Sequence, residues 1–261
     1  MDKPYLIRLS STKGGVGKSV IAVNLAVALQ MYGFKTLIVD MDTVNPCVGL
    51  YLGMPDSSIG TFDAMHSAMD LRRVIVPHPS TGLHVLPGRI GYNGAQPTVA
   101  LGDAFFKKLK NSEYKFIIID TQPGVVFPEL LRWYDEALIV ALPFEASCIS
   151  AVKMFKKCGK EGLKANLVVN KVGNRRYELS IREIEAMCES KALGVLQEDR
   201  NVDIGVAEHA PTYVLNKKTP FSIGIDEVAS IYSSRIDTMR NPSYARGGLI
   251  SAIKRLLGMR Y

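Results

Sequence analysis

The stretch that decides the fold is Ser10-Ser11-Thr12-Lys13-Gly14-Gly15-Val16-Gly17-Lys18-Ser19, which lies between an apolar run and an amphipathic segment. Its glycines let the backbone curl, so that successive amide groups point inward at phosphate oxygens. The helix expected to follow adds the positive end of its dipole. Lys18 is placed to reach the β- and γ-phosphates of a nucleotide, and Ser19 to bind Mg²⁺. Thr12 stands where the usual phosphate-loop pattern has its first glycine, but strand, loop and helix occur in the order that phosphate binding requires.

Apolar runs and helical patterns alternate on both sides of this loop. The runs are continuously apolar, which is typical of parallel strands covered on both faces. They lie at residues 5–10, 36–41, 83–86, 116–120, 137–142 and 166–170. Helices are expected at 20–32, with Gly33 as the stop signal, and near 98–110, 147–160 and 180–190. The sequence therefore predicts an α/β three-layer sandwich, with a mostly parallel sheet and helices on both faces. Ligands of such folds bind at the carboxyl ends of the strands.

Carboxylates end two of the predicted strands. Asp40 and Asp42 lie at i and i+2 and so point to the same side at the end of one strand. Asp120 follows four apolar residues at the end of another. A single apolar strand that ends in aspartate is weak evidence. Together with the phosphate loop, in this order and spacing, these acids predict a site for a nucleotide and a metal ion.

The motif K-G-G-V-G-K-S over residues 13–19 resembles the deviant Walker A motif of the MinD/ParA ATPases, and the likeness runs over about the first 235 residues. This resemblance implies a P-loop ATPase that uses ATP and Mg²⁺ and forms an ATP-dependent homodimer. Lys13 would cross to the partner's nucleotide and neutralise charge on the transferred phosphoryl group; a lysine that acts within its own subunit is the alternative. Asp42 would orient or activate the attacking water, whereas Asp40 would be structural. Asp120 would bind Mg²⁺ through water.

The same resemblance implies which residues contact ligands. Catalysis would use Lys13, Lys18 and Asp42, and the metal site would use Ser19, Asp42 and Asp120. Asn45 would lie in a first nucleotide-sensing loop, and Gly124 would place its N–H near the γ-phosphate in a second. Asn170 would hydrogen-bond the base. The ATP-contacting set would be Thr12, Lys13, Gly14, Gly15, Val16, Gly17, Lys18, Ser19, Val20, Gly124 and Asn170.

Two positions depart from the family's pattern. Gln122 stands where relatives often have proline or a small residue, and Gln197 replaces a proline in the loop that resembles the base-packing segment.

The spacing of the cysteines reduces the number of family branches to which the chain could belong. The four cysteines form no C-x-x-C pair, which argues against the iron–sulfur and zinc-bridged relatives. Reduced thiols in a cytoplasmic protein are expected, and the N-terminus lacks the pattern of a secretory signal.

The C-terminal region carries most of the net charge of +7, because five basic residues and no acid follow Asp237. We divide the chain into an ATPase domain at 1–238, a linker at 239–248 and an amphipathic helix at 249–261. One side of that helix collects the apolar residues Leu249, Ile250, Ile253, Leu256 and Leu257. The pattern is typical of an interfacial helix and resembles the membrane-targeting helix of the MinD branch. Two such helices on a dimer would bind by effective concentration. A helix packed on the domain is the alternative.

These features lead to the hypothesis of a positioning switch, cytoplasmic and peripheral on the inner face of the cell membrane in its ATP state. Its partners would be a second copy, an anionic membrane surface and an unidentified activator or cargo adaptor. The alternative is a ParA-like ATPase that rides on nonspecific DNA, because Lys153, Lys156, Lys157 and Lys160 share one helix face. A solvated helix face explains the same lysines. A further alternative is a nucleotide-gated binding module with negligible turnover.

Overall fold

An eight-stranded sheet forms the centre of the protein in a computed structural model that describes residues 3–67, 69–92, 94, 98–124 and 128–240. The strands are β1 Tyr5–Ser10, β2 Thr36–Met41, β3 Val76–Pro77, β4 His84–Leu86, β5 Phe116–Thr121, β6 Glu136–Ala141, β7 Ala165–Val172 and β8 Ala192–Gln197. Their order is β3-β4-β2-β5-β1-β6-β7-β8. All neighbouring pairs are parallel except β3 with β4. The predicted fold class is confirmed.

Helices cover both faces of this sheet. They are α1 Lys18–Met31, α2 Val48–Tyr51, α3 Thr61–His66, α4 Val99–Lys110, α5 Glu145–Lys160, α6 Ile181–Cys188, α7 Arg200–Ala207, α8 Thr212–Leu215 and α9 Pro220–Arg240. Two 3₁₀ segments span Leu71–Arg73 and Pro128–Trp133. Side chains alternate across each strand, so Leu6 and Ile117 join a core with α4, α5 and α6, whereas Ile7 and Ile118 join a second core with α1 and α9. Continuous apolar runs thus serve two cores at once.

Local signals set several helix ends. Gly33 follows α1 with a φ of 86°, and its N–H donates to the Gln30 carbonyl at 2.9 Å. The Phe34 N–H reaches back to Leu29 at 3.2 Å, which completes a Schellman motif. The side chains of Thr98 and Ser180 cap α4 and α6 by accepting from backbone N–H groups in the first turn. The predicted stop at Gly33 is confirmed.

The end of α9 bears on the predicted domain boundaries. This helix reaches Arg240 and so extends two residues into the segment predicted as a linker. The remainder of that linker lies outside the described residues. So do the predicted membrane-contacting residues Leu249, Ile250, Ile253, Leu256 and Leu257. Within the described ranges, no helix is both long and apolar enough to cross a membrane.

Candidate functional site

The loop between β1 and α1 curls at its glycines. Gly15 and Gly17 have φ values of 76° and 91°, in the left-handed region that favours glycine. A Cβ added to Gly17 would lie 2.4 Å from Nδ2 of Asn170, so a side chain cannot be accommodated there. At Gly14 and Gly15 a Cβ would meet nothing within 4 Å, because these residues face open space. The loop thus presents bare backbone to a cleft, as phosphate binding requires.

Asn170 lies buried near the end of β7, where it supports this loop. Its Nδ2 donates to the Val16 carbonyl at 2.8 Å. One amide hydrogen therefore holds the phosphate loop against the sheet. Asn170 also lines the cleft, so the predicted hydrogen bond to a base, made by its remaining polar atoms, stays a prediction.

Three aspartates gather at the carboxyl ends of β2 and β5. Asp40 and Asp120 are opposite each other in the parallel register. Asp40 accepts hydrogen bonds from the N–H groups of Asp42 at 3.0 Å and Val48 at 3.1 Å, which fixes both ends of the intervening loop. This agrees with the structural role expected of Asp40. Oδ1 of Asp42 accepts from two amides further along the loop, those of Val44 and Asn45, each at 2.9 Å.

The Asp120 carboxylate is fully buried, and neither of its oxygens has a hydrogen-bond partner of ordinary geometry among the described residues. Burial raises the pKa of Asp120, although the nearby Lys18 charge and Ser19 hydroxyl act to lower it. Burial and the charge of Asp120 likewise raise the pKa of Asp40. A buried carboxylate without a partner is costly. The arrangement is therefore suited to a ligand that brings positive charge.

Within the described ranges, no group of three or more histidine, cysteine, aspartate or glutamate side chains is arranged to hold a metal ion. Mg²⁺ does not require such a group, because it usually keeps several waters and binds through one or two carboxylates together with substrate phosphates. The unpartnered Asp120 carboxylate beside the Ser19 hydroxyl fits that mode of binding.

The end of β5 and the segment after it are hydrogen-bonded to the end of β1 and to the phosphate loop. The Thr121 hydroxyl donates to the Leu9 carbonyl at 2.7 Å, and the Gly124 N–H donates to the Ser11 carbonyl at 2.9 Å. The sequence predicted that the Gly124 N–H lies near a γ-phosphate. In this structure that N–H is occupied by Ser11, so a phosphate contact requires the backbone bond to break.

A cleft of about 500 Å³ joins these parts. From the predicted set it is lined by Gly14, Gly15, Gly17, Lys18, Ser19, Val20, Asp42 and Asn170. Lys13 is outside that lining, and its side chain is exposed. The lining residues that the sequence analysis did not predict include Cys47, Tyr51, Lys171, Asp203, Val206 and Phe221. Lys171 directly follows the predicted Asn170. The segments of the other five residues have no motif, and only the topology brings them to the cleft.

The remaining predicted features lie outside the cleft. The lysines at 153, 156, 157 and 160 are all exposed on α5, opposite the buried Met154 and Cys158. None of the four forms an ion pair with the residues that the structure describes. The four cysteines are free of disulfides, as expected.

Known proteins resemble this chain over nearly its whole length. A profile of the CobQ/CobB/MinD/ParA nucleotide-binding domain matches residues 7–212. An uncharacterised ATP-binding protein of Methanocaldococcus jannaschii is 28% identical over 265 residues, which cover 97% of this chain and 98% of that protein. A putative septum site-determining protein MinD of Mesostigma viride is 25% identical, with 96% and 91% covered. The septum site-determining protein MinD of Pyrococcus horikoshii, solved with Mg-ADP, has the same fold, with a TM-score of 0.81 at 24% identity and 91% and 98% covered.

Proposed function

Because the chain belongs to the MinD/ParA family of P-loop ATPases, we propose that it binds Mg-ATP, pairs with a second copy of itself and hydrolyses the nucleotide. The observation that carries this proposal is the buried, unpartnered Asp120 carboxylate beside Lys18 and Ser19, at the foot of a loop of bare backbone amides. The nearby Lys18 charge offsets burial only in part, because the pKa of Asp120 stays raised. A ligand that supplies a cation and a polyphosphate gives that carboxylate a purpose.

Several residues in and beneath the cleft then have a chemical task. The amides of the phosphate loop and Lys18 bind phosphate oxygens. Ser19 and Asp120 would hold Mg²⁺, which, when bound, neutralises charge on the β- and γ-phosphates. Asp42 orients the attacking water. Both backbone N–H groups that bond to this carboxylate donate to Oδ1, so Oδ2 is the atom we assign to the water.

Lys13 acts across a dimer interface in this proposal. Its side chain is exposed and does not line the cleft of its own chain, although it is five residues from Lys18. A lysine in that position serves a nucleotide bound by a facing copy better than its own. The closed dimer would therefore complete the charge that the transition state requires.

The decisive experiment is size-exclusion chromatography with light scattering in ADP and in ATP, with phosphate release measured in parallel. We expect Asp42→Ala to dimerise in ATP without turnover. Lys18→Ala loses the charge-assisted bonds to phosphate, which weakens ATP binding by about 10- to 100-fold. Lys160→Ala, an exposed lysine away from the cleft, is the matched control and behaves like wild type. If Lys18→Ala binds ATP as tightly as wild type, the proposed site is wrong.

We place this ATPase on membranes as a spatial-positioning switch, with an activator or cargo adaptor as partner. Arg235 of α9 pairs with Glu136 at the start of β6, so the helix ends near the sheet edge opposite the cleft. The described end of α9 therefore lies away from the cleft, at which a second copy would dock in this proposal. Deletion of residues 249–261 is the test: the truncated protein is expected to stay in the supernatant with anionic liposomes and ATP. If it still sediments, the membrane assignment is wrong.

A DNA-binding role is the second candidate, and the exposed lysine row on α5 favours it. Four cations at helical spacing, which form no ion pair with residues in the described part of the chain, match a nonspecific phosphate contact. Salt-sensitive, ATP-dependent retardation of arbitrary duplex DNA, lost in Lys153→Glu/Lys157→Glu, would support this role. Liposome binding without retardation would support the membrane. Phosphate release with and without liposomes separates a constitutive ATPase from a module that waits for its activator.

A further inference from the structure

A hydrogen bond joins the two loops that follow β2 and β5. The Thr43 hydroxyl donates to Oε1 of Gln122 at 3.3 Å, and both side chains are half-buried. These residues are 79 positions apart in the chain, and neither lines the cleft itself, although their chain neighbours Asp42 and Pro123 do. Gln122 is also one of the two positions that depart from the family pattern, and the proposed chemistry assigns it no task.

Gln122 belongs to a stiff segment. The residue before it, Thr121, is tied to β1 through the Leu9 carbonyl at 2.7 Å. Two residues later, Gly124 is tied to the phosphate loop through the Ser11 carbonyl at 2.9 Å. Pro123, between them, has a backbone φ fixed by its ring. The side chain of Gln122 therefore starts from a backbone whose position is set by the phosphate loop itself.

Thr43 belongs to a looser segment. Asp40 fixes the ends of its loop, at Asp42 and Val48, but Val44 is 62% exposed and contributes little packing. Thr43 directly follows Asp42 in the chain. Its hydroxyl thus ties the residue next to the proposed water-orienting carboxylate to the rigid segment of Gln122.

We propose that Gln122 is a positioning residue for hydrolysis: through Thr43 it sets the place of the Asp42 carboxylate relative to the phosphate loop. The inference rests on the proposed ATP hydrolysis and deepens it. Gln122 touches neither the nucleotide nor the water in this role. A misplaced Asp42 slows the chemical step, whereas nucleotide affinity, which depends on the loop amides and Lys18, is unaffected.

The test uses substitutions that remove the bond without changing shape. Thr43→Val loses the hydroxyl and Gln122→Met loses the acceptor. One neutral hydrogen bond of this kind corresponds to a change of about 2- to 10-fold, so kcat falls by that factor while KM and ATP affinity stay within about 2-fold. The double variant is no slower than either single variant, because both remove the same bond. Thr43→Ser keeps the donor and keeps the rate.

Unchanged kcat in Thr43→Val, or equal losses in Thr43→Ser and Thr43→Val, would overturn the proposal. Amide hydrogen exchange of the nucleotide-free protein tests the link between the two loops independently of ATP hydrolysis. We expect faster exchange at Val44 and Asn45 in Thr43→Val and Gln122→Met, with unchanged thermal unfolding. If wild type binds ATP but releases no phosphate, the proposed hydrolysis fails, and with it the positioning role. If exchange is unchanged, the link between the loops is refuted whatever the turnover.

Discussion

Carboxylates are buried at both ends of the central strands, but they differ in the number of hydrogen-bond and ion-pair partners. At the carboxyl ends of the strands, Asp120 is fully buried, has no hydrogen-bond partner of ordinary geometry among the described residues, and has a pKa raised by burial. At the amino ends of the strands, Glu136 at the start of β6 is equally buried, but its carboxylate has hydrogen-bond and ion-pair partners. Five side chains bond to it: Tyr5, Lys164, Asn166, Tyr232 and Arg235.

The pKa values record this difference. Burial alone would raise the pKa of Glu136, but the hydrogen bond from Tyr232 and the charge of Arg235 lower it below the ordinary value. Asp120 has Lys18 and Ser19 nearby, and they do not outweigh burial. A carboxylate with saturated contacts holds α9 and β6 together. A buried carboxylate without such contacts, Asp120, lies at the end of the sheet where we propose that the ligand binds. The comparison separates structure from function without reference to any relative.

The largest effect is expected at Glu136, the carboxylate with five partners. Glu136→Gln leaves Arg235 and Lys164 without their counter-charge and lowers the free energy of unfolding by about 3 kcal/mol. Chemical denaturation of the nucleotide-free protein measures it. ATP affinity, determined well below the melting temperature, is expected to match wild type, because the cleft lies at the other edge. A change below about 0.5 kcal/mol would mean that the five contacts contribute nothing net.

The pH dependence of the same variant sharpens the comparison. Because the folded-state pKa of Glu136 lies below its ordinary value of 4.5, its stabilisation is fully present above about pH 4.5 and is lost as pH falls through the folded-state pKa. The stability gap between wild type and Glu136→Gln is therefore constant near neutral pH and narrows in acid. Denaturation curves at a series of pH values measure the gap. A gap that widens in acid would contradict the assigned sign.

Asp120→Asn makes the same acid-to-amide change at the other carboxylate. Here the folded-state pKa is raised, so the ionised carboxylate destabilises the nucleotide-free protein at neutral pH. We expect Asp120→Asn to raise the free energy of unfolding by about 1–2 kcal/mol. Mg-ATP, at about 100-fold over its Kd, raises the free energy of unfolding of wild type by about 2.7 kcal/mol. We expect a smaller increase for Asp120→Asn. Loss of stability on this substitution would show that Asp120 is a structural residue.

The sequence predicts much of this picture because local chemistry determines it. Apolar runs bounded by turn signals place β1 and β2 to the residue, and the phosphate-loop spacing places Lys18 and Ser19. Gly33 predicts the end of α1 because the left-handed conformation there favours glycine. The sequence predicts Asp40 and Asp120 at the carboxyl ends of two strands, and the structure shows that these strands are neighbours with the two residues opposite each other.

Other features depend on contacts between distant segments. α9 and β8 were not predicted, because small residues such as Gly194 and Gly224 weaken their patterns; yet a Cβ at either glycine would collide with the other element. Nor does the sequence reveal that Gly124 bonds to Ser11, or that Glu136 collects five partners. The Glu136 cluster spans residues 5 to 235, so no window of sequence contains it.

The smallest expected effect compares one hydroxyl at each edge. Tyr5→Phe removes a 2.9 Å hydrogen bond to Glu136 and lowers the free energy of unfolding by about 1 kcal/mol. Thr12→Val in the phosphate loop removes a buried hydroxyl without a partner among the described residues, so stability stays within about 0.5 kcal/mol of wild type. Denaturation of both variants without nucleotide measures the pair. Equal losses would mean that the two edges do not differ in polar satisfaction, and the distinction between the structural carboxylate and the functional one would fall with it.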